Sequence, residues 1–317
     1  MKRAIVLATL AAAATTAMPA LAVCDLDIRN IGTVRWNGAG SGYEVFDPAT
    51  YGQIVTFNIR HRNDACSFIV TASYTPGPNG ERHLIGPGGS LDYQLYVDRA
   101  MSRVLKDLPG ATAQEVIVGS APAGTNTQQL EFTMSIPPLQ VLAAGVYDAD
   151  VDLSVYEGAL GAATLRDQRR IRILARIQPT VQFTFAAGTV FDPNQRSARV
   201  DFGTMQAGTA RDLSLGARAN TYYRISLSSE NRGTMRHVDP TDNSVVPYSL
   251  TVDGRVIPLN RPSPTAVDDA PPTDATGRRH GFLFTIGDLG AASAGDYQDV
   301  ITVTMTAREK RLTPNLG

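Results

Sequence analysis

The feature that most constrains the fold of this chain is that its sequence repeats itself. Several short segments of the first half recur in the second half in the same order, which indicates a duplicated domain. The matching segments, first copy before second, are residues 31–33 (IGT) and 202–204 (FGT), 92–98 (DYQLYVD) and 247–253 (PYSLTVD), 131–134 (EFTM) and 283–286 (LFTI), and 144–148 (AGVYD) and 294–298 (AGDYQ).

The sequence has the composition of β-strands. Residues 53–60, 67–73 and 92–98 are short, rich in β-branched or aromatic residues, and bounded by Gly, Pro, Asn or Asp. Apolar residues alternate with others in 92–98, which places them on one buried face of a strand. Residues 170–177 (RIRILARI) are the predicted last strand of the first copy, before Pro179. Helical spacing is weak, so the sequence predicts an all-β protein.

The first 22 residues have the pattern of a secretory signal peptide. A basic start precedes an apolar run, and Ala20 and Ala22 provide the small residues that a signal peptidase requires. The run is too short to cross a bilayer as a helix, so we predict an exported chain that begins at Val23. The alternative is a lipobox at residues 21–24, with Cys24 as the acylated residue. The predicted domains are residues 23–178 and 179–317.

The two cysteines and the composition agree with export. An exported chain with a single pair is expected to form one disulfide, here Cys24–Cys66. Charged residues make up 19% of the chain, and its 28 Gly and 19 Pro are typical of a loop-rich β protein. The net charge is −1, without the basic stripe that nucleic-acid binding requires.

Three features together resemble the spore coat U domain, the pilin module of archaic chaperone–usher pili. They are the early Cys24 followed by residues 31–33, the strand with a Tyr-x-Leu pattern, and residues 294–304 (AGDYQDVITVT). The last segment matches a small-Gly-x-Tyr turn that leads into a strand of alternating Thr and Val. The first copy departs from the family pattern at residues 150–155 (DVDLSV), and the second copy lacks the disulfide because Thr221 stands in place of Cys66.

The resemblance implies both a fold and an assembly route. It implies two tandem immunoglobulin-like β-sandwiches, of which the second lacks its final strand. A periplasmic chaperone, and then the donor strand of the next pilin subunit, would fill the resulting groove by β-strand addition, at an outer-membrane usher. The residues that we expect along this groove are Tyr248, Leu250, Val252, Val303 and Met305.

The resemblance also implies a position in the pilus. A shaft subunit needs a donor segment of about ten residues before its first strand, whereas cleavage after Ala22 leaves only Val23 before Cys24. We therefore expect a subunit that accepts a strand and donates none, which places it at the tip. The first copy is expected to be complete, because residues 170–177 can close its groove.

The sequence offers no catalytic constellation. We interpret the four histidines, His61, His83, His237 and His280, as scattered surface residues, and we expect no cofactor or metal. Asp148, Asp150 and Asp152 alternate along a predicted strand, so we interpret them as its solvated face rather than as a calcium site. Arg169, Arg170, Arg172 and Arg176 are interpreted as a charged strand edge that discourages pairing, rather than as a site for anionic surfaces.

Three loops of the first copy contain more apolar residues than solubility needs, and binding groups concentrate in loops. The alternative is that these side chains fold back onto the sandwich, which we expect for Trp36. The candidate contact residues are Trp36, Tyr43 and Phe46 in residues 35–51, Val116, Ile117 and Val118 in residues 115–125, and Leu139, Val141 and Leu142 in residues 136–145.

These observations predict a tip adhesin without enzymatic activity, which mediates attachment to abiotic or host surfaces and biofilm formation. The alternative is a structural minor pilin or coat protein without a ligand. A periplasmic glycan hydrolase would need paired carboxylates, and the sequence contains none that we would assign to such a role.

Overall fold

The computed structural model describes residues 24–38, 40, 42–75, 80–185 and 191–309, so the predicted signal peptide and lipobox lie outside the described residues. This part of the chain contains no helix long and apolar enough to cross a membrane. The strands of the first half, here the N-terminal module, are β1 (Cys24–Arg29), β2 (Val34–Arg35), β3 (Gly52–Asn63), β4 (Cys66–Ala72), β5 (Arg82–Gly86), β6 (Gly89–Tyr96), β7 (Ile117–Ala121), β8 (Asn126–Ser135), β9 (Gly145–Glu157) and β10 (Thr164–Ile177).

The described strands of the second half, here the C-terminal module, do not pair with those of the first. Each module has its own buried apolar clusters. The strands of the C-terminal module are β11 (Val181–Thr184), β12 (Ala210–Ala219), β13 (Tyr222–Ser229), β14 (Thr234–His237), β15 (Val245–Val252), β16 (Arg255–Ile257), β17 (Thr265–Ala270), β18 (Arg278–Ile286), β19 (Tyr297–Gln298) and β20 (Ile301–Arg308).

The two modules have the same strand order. In the N-terminal module β1, β3, β8 and β6 are neighbours in that order, and β11, β12, β18 and β15 repeat it in the C-terminal module. In the opposite layer β4 lies between β7 and β9, and β13 lies between β17 and β20. The structure therefore confirms the all-β prediction, and the repeated segments occupy equivalent places.

One long strand of the N-terminal module has no described counterpart in the C-terminal module. β10 pairs antiparallel with β9 over nearly its whole length, and it also pairs in parallel with β2. Alternate side chains of β10 point into the core and are at most 1% exposed, namely Ile171, Ile173, Ala175 and Ile177. The predicted strand at residues 170–177 thus exists, begins six residues earlier than expected, and completes the N-terminal module.

A repeated tyrosine turn explains why residues 144–148 and 294–298 match. Gly145 and Gly295 have φ angles of 154° and 155°, a region that favours glycine. Tyr147 donates a hydrogen bond to the carbonyl of Ala143 (2.9 Å), and Tyr297 donates one to that of Ser293 (2.8 Å). In both cases the acceptor lies four residues upstream, as in the tyrosine corner of immunoglobulin-like sandwiches.

The layers of each module are joined in different ways. In the N-terminal module the predicted Cys24–Cys66 disulfide joins β1 to the start of β4, with a Cα–Cα distance of 6.2 Å. In the C-terminal module the buried Tyr223 on β13 bonds His280 on β18 across the core (2.8 Å), and His280 also bonds Asp253 (2.6 Å). A polar chain therefore bridges the layers of the module that lacks the disulfide.

Candidate functional site

The first candidate site is the free edge of β20. Among the described strands β20 pairs only with β13, whereas its counterpart β9 has β10 on its other side. β11 approaches β20 without pairing with it. Three apolar side chains of β20, Ile301, Val303 and Met305, pack against the core but remain half-buried. The edge between β11 and β20 therefore presents unpaired backbone groups beside half-covered apolar side chains.

The predicted groove residues fall into two groups. Tyr248, Val303 and Met305 are half-buried and pack on the core, as residues beside an opening should. Leu250 and Val252 are at most 1% exposed. They lie on β15, which pairs with β18 on one side and with β16 on the other. The assignment of these two residues to the groove lining is therefore wrong, because both side chains are already packed inside the core cluster.

Tyr248 is held in place by the carboxylate of Asp299, which directly follows the repeated segment 294–298. Its hydroxyl donates to Asp299 Oδ2 (2.5 Å), which also accepts from the hydroxyl of Ser229 (2.6 Å). Burial and the bond to Asp299 raise the pKa of Tyr248 well above its usual value. Asp299 lies two residues before β20 and also accepts the backbone N–H of Asn231 (3.0 Å). It therefore fixes the start of the strand whose other edge is free.

The loops of the N-terminal module lie at two ends of the sandwich. Ile177 ends β10 immediately before the connection to the C-terminal module, and both Gly145 and Tyr43 pair with it. The loops at residues 36–51 and 136–144 therefore lie at this junction end. Tyr43 joins them, because its hydroxyl donates to the carbonyl of Pro137 and accepts the N–H of Gln140, both at 2.8 Å.

Several predicted contact residues are buried. Trp36 is 5% exposed, as expected. The expected exposure is wrong for Tyr43, Phe46, Val116 and Ile117, which are between 2% and 8% exposed. The reason is that tertiary packing in this module folds Tyr43, Phe46 and Ile117 into the core cluster. Val141 and Leu142 are half-buried against that cluster, while Leu139 (46% exposed) and Val118 (62% exposed) remain accessible.

The opposite, far end of the N-terminal module carries an apolar row that the sequence did not reveal. Val118 pairs with Ile69, Ile69 with Tyr156, and Tyr156 with Leu165, across β7, β4, β9 and β10. Directly paired residues lie on the same face of a sheet. Ile69 is buried, but Val118 and Leu165 are 62% and 49% exposed. We call these four residues the far-end row.

Two turns beside the far-end row contain no charged residue. Residues 121–125 (APAGT) are held by a bond from the Gly124 N–H to the carbonyl of Asn63 (2.7 Å). Residues 158–163 (GALGAA) are held by a bond from the Gly158 N–H to the carbonyl of Ser67 (2.9 Å). The neighbouring Glu157 and Arg166 form an ion pair with each other. This end is therefore weakly polar over an area larger than the row itself.

The charged stripes of β9 and β10 pair with each other. Asp152 bonds Arg170 and Asp148 bonds Arg172, each at 2.9 Å. The side chain of Arg170 is 69% exposed, so these residues form the solvated face that the sequence indicated. The pKa of the Asp152 carboxyl is lowered by its bond to Arg170. Engagement of both carboxylates by arginines argues against a calcium site on this face.

The interpretation of all four histidines as surface residues is wrong. His61 and His280 are 1% and 2% exposed, because each lies on an inward face of its strand. A ring nitrogen of His61 lies within 4.8 Å of the sulfur atoms of Cys24 and Cys66, but the two sulfurs are bonded to each other. His280 and Tyr223 are both buried, and their polar chain reaches the surface only at Asp253, whose side chain is 46% exposed.

Comparison with known proteins identifies one domain. Residues 62–153 match the family model described as Spore Coat Protein U domain. Over these residues the chain is similar to the Spore Coat Protein U domain. The match begins at the end of β3 and ends within β9, so it lies in the N-terminal module. It confirms the resemblance that was predicted from motifs of both copies. A search of curated protein sequences found no match.

The chain is also similar to several solved structures of pilus proteins. With the chaperone–tip adhesion subunit pre-assembly complex of archaic chaperone–usher Csu pili from Acinetobacter baumannii it shares 14% identity, over 89% of this chain and 99% of that chain, with a TM-score of 0.49. With the CupB6 tip adhesin of Pseudomonas aeruginosa it shares 11% identity, over 92% and 97%, with a TM-score of 0.38. With CfaE, the adhesive subunit of CFA/I fimbria of enterotoxigenic Escherichia coli, it shares 15% identity, over 90% and 82%, with a TM-score of 0.32.

Proposed function

We propose that this chain is the tip adhesin subunit of a chaperone–usher pilus, carried through the periplasm to the cell surface. Residues 23–178 form its adhesin domain, and residues 179–317 form a pilin domain that accepts a strand. The observation that carries this proposal is the free edge of β20, in a module whose duplicate has the equivalent edge closed by β10. The domain match in residues 62–153 supports it.

Strand addition follows from the chemistry of that edge. A strand inserted between β11 and β20 would pair with the free backbone groups of β20 and cover Val303 and Met305. An edge left open in this way is an aggregation hazard, which explains the need for a periplasmic chaperone before assembly. The donor strand of the next pilin subunit would replace the chaperone at the outer-membrane usher and join this chain to the shaft.

Strand acceptance can be tested on the full chain. A shaft pilin's donor peptide, fused after Gly317 through a flexible linker, should raise the unfolding midpoint of the C-terminal module and suppress aggregation. The matched control is the same fusion with asparagine at its alternating apolar positions, which cannot cover Val303 and Met305 with apolar surface. Equal midpoints for the two fusions would contradict the proposed strand acceptance.

The second part of the proposal concerns the adhesive surface, which we assign to the far-end row and its uncharged turns. Val118 and Leu165 are exposed on the end of the module farthest from the connection to the pilin domain. Val118 and Leu165 are 62% and 49% exposed, so covering the exposed part of each side chain contributes about 1 kcal/mol. Many pili that make such contacts together would hold a cell by avidity. The partner is an abiotic or host surface of low charge.

A pair of matched variants tests this assignment. Val118→Ser with Leu165→Ser should leave the amount of surface pili unchanged and reduce the number of cells retained on polystyrene, because both side chains are exposed. Leu139→Ser is the control, since Leu139 is also exposed but lies at the junction end. Retention lost in the control alone would place the contact in the predicted loop at residues 136–145. Unchanged retention in both would favour a structural minor pilin without a ligand.

A further inference from the structure

The segment that connects the two modules is held by hydrogen bonds from one side chain, that of Asn220. Three residues separate β10 from β11, and the Asn220 amide bonds both ends of this segment. Its Nδ2 donates to the carbonyl of Gln178 (2.9 Å), and its Oδ1 accepts the N–H of Thr180 (2.7 Å). The backbone N–H of Asn220 also donates to the carbonyl of Thr180 (3.2 Å). Asn220 is 2% exposed, so water cannot readily replace these bonds.

Pro179 stiffens the same segment. A proline fixes its own φ near −65° and restricts the residue before it to extended conformations. The residue before it is Gln178, whose carbonyl accepts bonds from Asn220 and from the Thr180 hydroxyl (3.2 Å). The segment therefore has little freedom of its own, and its orientation follows that of β12, whose last residue directly precedes Asn220.

A second contact lies on β12, two residues before Asn220. The guanidinium of Arg218 lies 4.2 Å from the ring centre of Phe191 in the C-terminal module and 6.0 Å from that of Phe46 in the N-terminal module. Both distances are within the range of a cation–π interaction. Arg218 Nε is buried and has no hydrogen-bond partner among the described residues. The aromatic rings are therefore the main described contacts of this part of the side chain.

Phe46, the residue that Arg218 contacts in the N-terminal module, is itself held in place. Phe46 is 7% exposed and belongs to the core cluster of the N-terminal module. Its loop is tied to the end of β10 by the Tyr43 N–H, which donates to the carbonyl of Arg176 (2.9 Å). On the other side, Arg218 pairs with Gln182 on β11, the strand beside the free edge of β20. Arg218 thus connects the acceptor module to the core of the N-terminal module.

We infer that Arg218 and Asn220 lock the two modules in one orientation, so that the chain has a rigid joint rather than a hinge. Domains joined by a short linker and a small interface move relative to each other by default. Here one residue orders the linker and another bridges the two surfaces. A mechanical force on the C-terminal module would then be transmitted to the N-terminal module without a prior change in the angle between the modules. This inference does not depend on which surface the N-terminal module binds.

The joint can be measured in the full chain by pulsed electron paramagnetic resonance. The only two cysteines form the disulfide, so Ala159→Cys and Arg255→Cys add two unique spin-label sites, one exposed position in each module. The unmodified joint should give a narrow distance distribution. Arg218→Gln should give one about twice as wide, because the contact with Phe46 that restrains the N-terminal module is then lost. Arg218→Lys, which keeps the charge and loses the planar stacking group, should fall between the two.

The matched control is Arg211→Gln. Arg211 also lies on β12, but it is exposed and its described bonds run to the carbonyls of Asp201 and Ala210 in its own module. We expect the control distribution to stay as narrow as that of the unmodified joint. A broad distribution in the unmodified chain, or a narrow one in a folded Arg218→Gln chain, would overturn the rigid joint. Unchanged melting of the C-terminal module, in which Arg218 and Arg211 both lie, verifies that each variant is folded.

Discussion

The strands β9 and β20 occupy equivalent places in the two modules, yet they differ in burial. On β9, Tyr147, Val151, Leu153 and Val155 are at most 3% exposed. On β20, Ile301, Val303 and Met305 remain half-buried. The preceding turn is the same in both modules, with matching glycine angles and tyrosine hydrogen bonds. The difference therefore comes from the neighbouring strand, which is present beside β9 and absent among the described strands beside β20.

The comparison of β9 with β20 shows how much of the burial of a strand's side chains comes from the neighbouring strand. β10 gives the N-terminal module a second set of ladder hydrogen bonds and four inward-facing side chains. In the C-terminal module none of the described strands makes this contribution. If another chain makes it, as proposed above, the stability of that module depends on its partner. The predictions below test this dependence, beginning with the largest expected effect.

The largest effect is expected when an aspartate is placed in the closed core of the N-terminal module and, in a separate variant, at the free edge of β20. Ile173→Asp buries a carboxylate in the closed core and should cost about 5 kcal/mol or more, enough to unfold the N-terminal module. Val303→Asp lies at the half-open edge and should cost about 1–2 kcal/mol. Trp36 is the only tryptophan and is buried in the N-terminal core, so its fluorescence reports that module alone. An effect of Val303→Asp on the Trp36 transition would contradict the separation of the two cores.

The next largest difference in stability is expected between the two links that join the layers. These are the Cys24–Cys66 disulfide of the N-terminal module and the Tyr223–His280 hydrogen bond of the C-terminal module. Replacing Cys24 and Cys66 by serine removes a cross-link between residues 42 positions apart. On the chain-entropy model this should cost the N-terminal module roughly 4 kcal/mol. Reduction of the disulfide in the native chain should lower the free energy of unfolding, measured from Trp36 fluorescence in urea, by a similar amount. The transition of the C-terminal module should not respond to the reductant, and a response there would mean that the modules do not unfold separately.

The polar chain of the C-terminal module should contribute less to stability than the disulfide does in the N-terminal module. Tyr223→Phe leaves a ring nitrogen of the buried His280 without its hydroxyl partner, which should cost about 1–3 kcal/mol. Tyr222→Phe is the matched control, because the neighbouring Tyr222 is half-buried and points to the other face of β13. Thermal melting of the donor-complemented chain measures both variants. Equal losses would show that the hydroxyl of Tyr223 contributes nothing particular to the core.

The sequence predicted the architecture better than the candidate contact surface. Repetition, strand composition and the cysteine pair are local or additive signals, and they identified the all-β class and the disulfide correctly. Exposure is not a local signal. Ile117 and Val118 are adjacent apolar residues in one segment, yet one is 8% and the other 62% exposed, because they point to opposite faces of β7.

The far-end row needed strand register, which the sequence does not contain. Its four residues come from four strands that span about 100 positions, and only pairing brings Val118, Ile69, Tyr156 and Leu165 onto one face. One signal could have pointed to this end, namely the absence of charge in residues 158–163. The joint between the modules was beyond the sequence for the same reason, since Phe46 and Arg218 meet only in the folded chain.

The smallest expected effect compares the two tyrosine turns themselves. The Tyr147 hydroxyl makes two bonds, since it also accepts the N–H of Gly88 (3.0 Å), and its ring is fully buried. Tyr147→Phe should therefore cost about 1–2 kcal/mol, measured from Trp36 fluorescence in urea. Tyr297 makes the one bond to Ser293 and is only half-buried, so Tyr297→Phe should cost about 0.5 kcal/mol in the melting of the C-terminal module. Equal costs would mean that the turn contributes independently of burial, and the contrast between the modules would then be confined to the edges of β9 and β20.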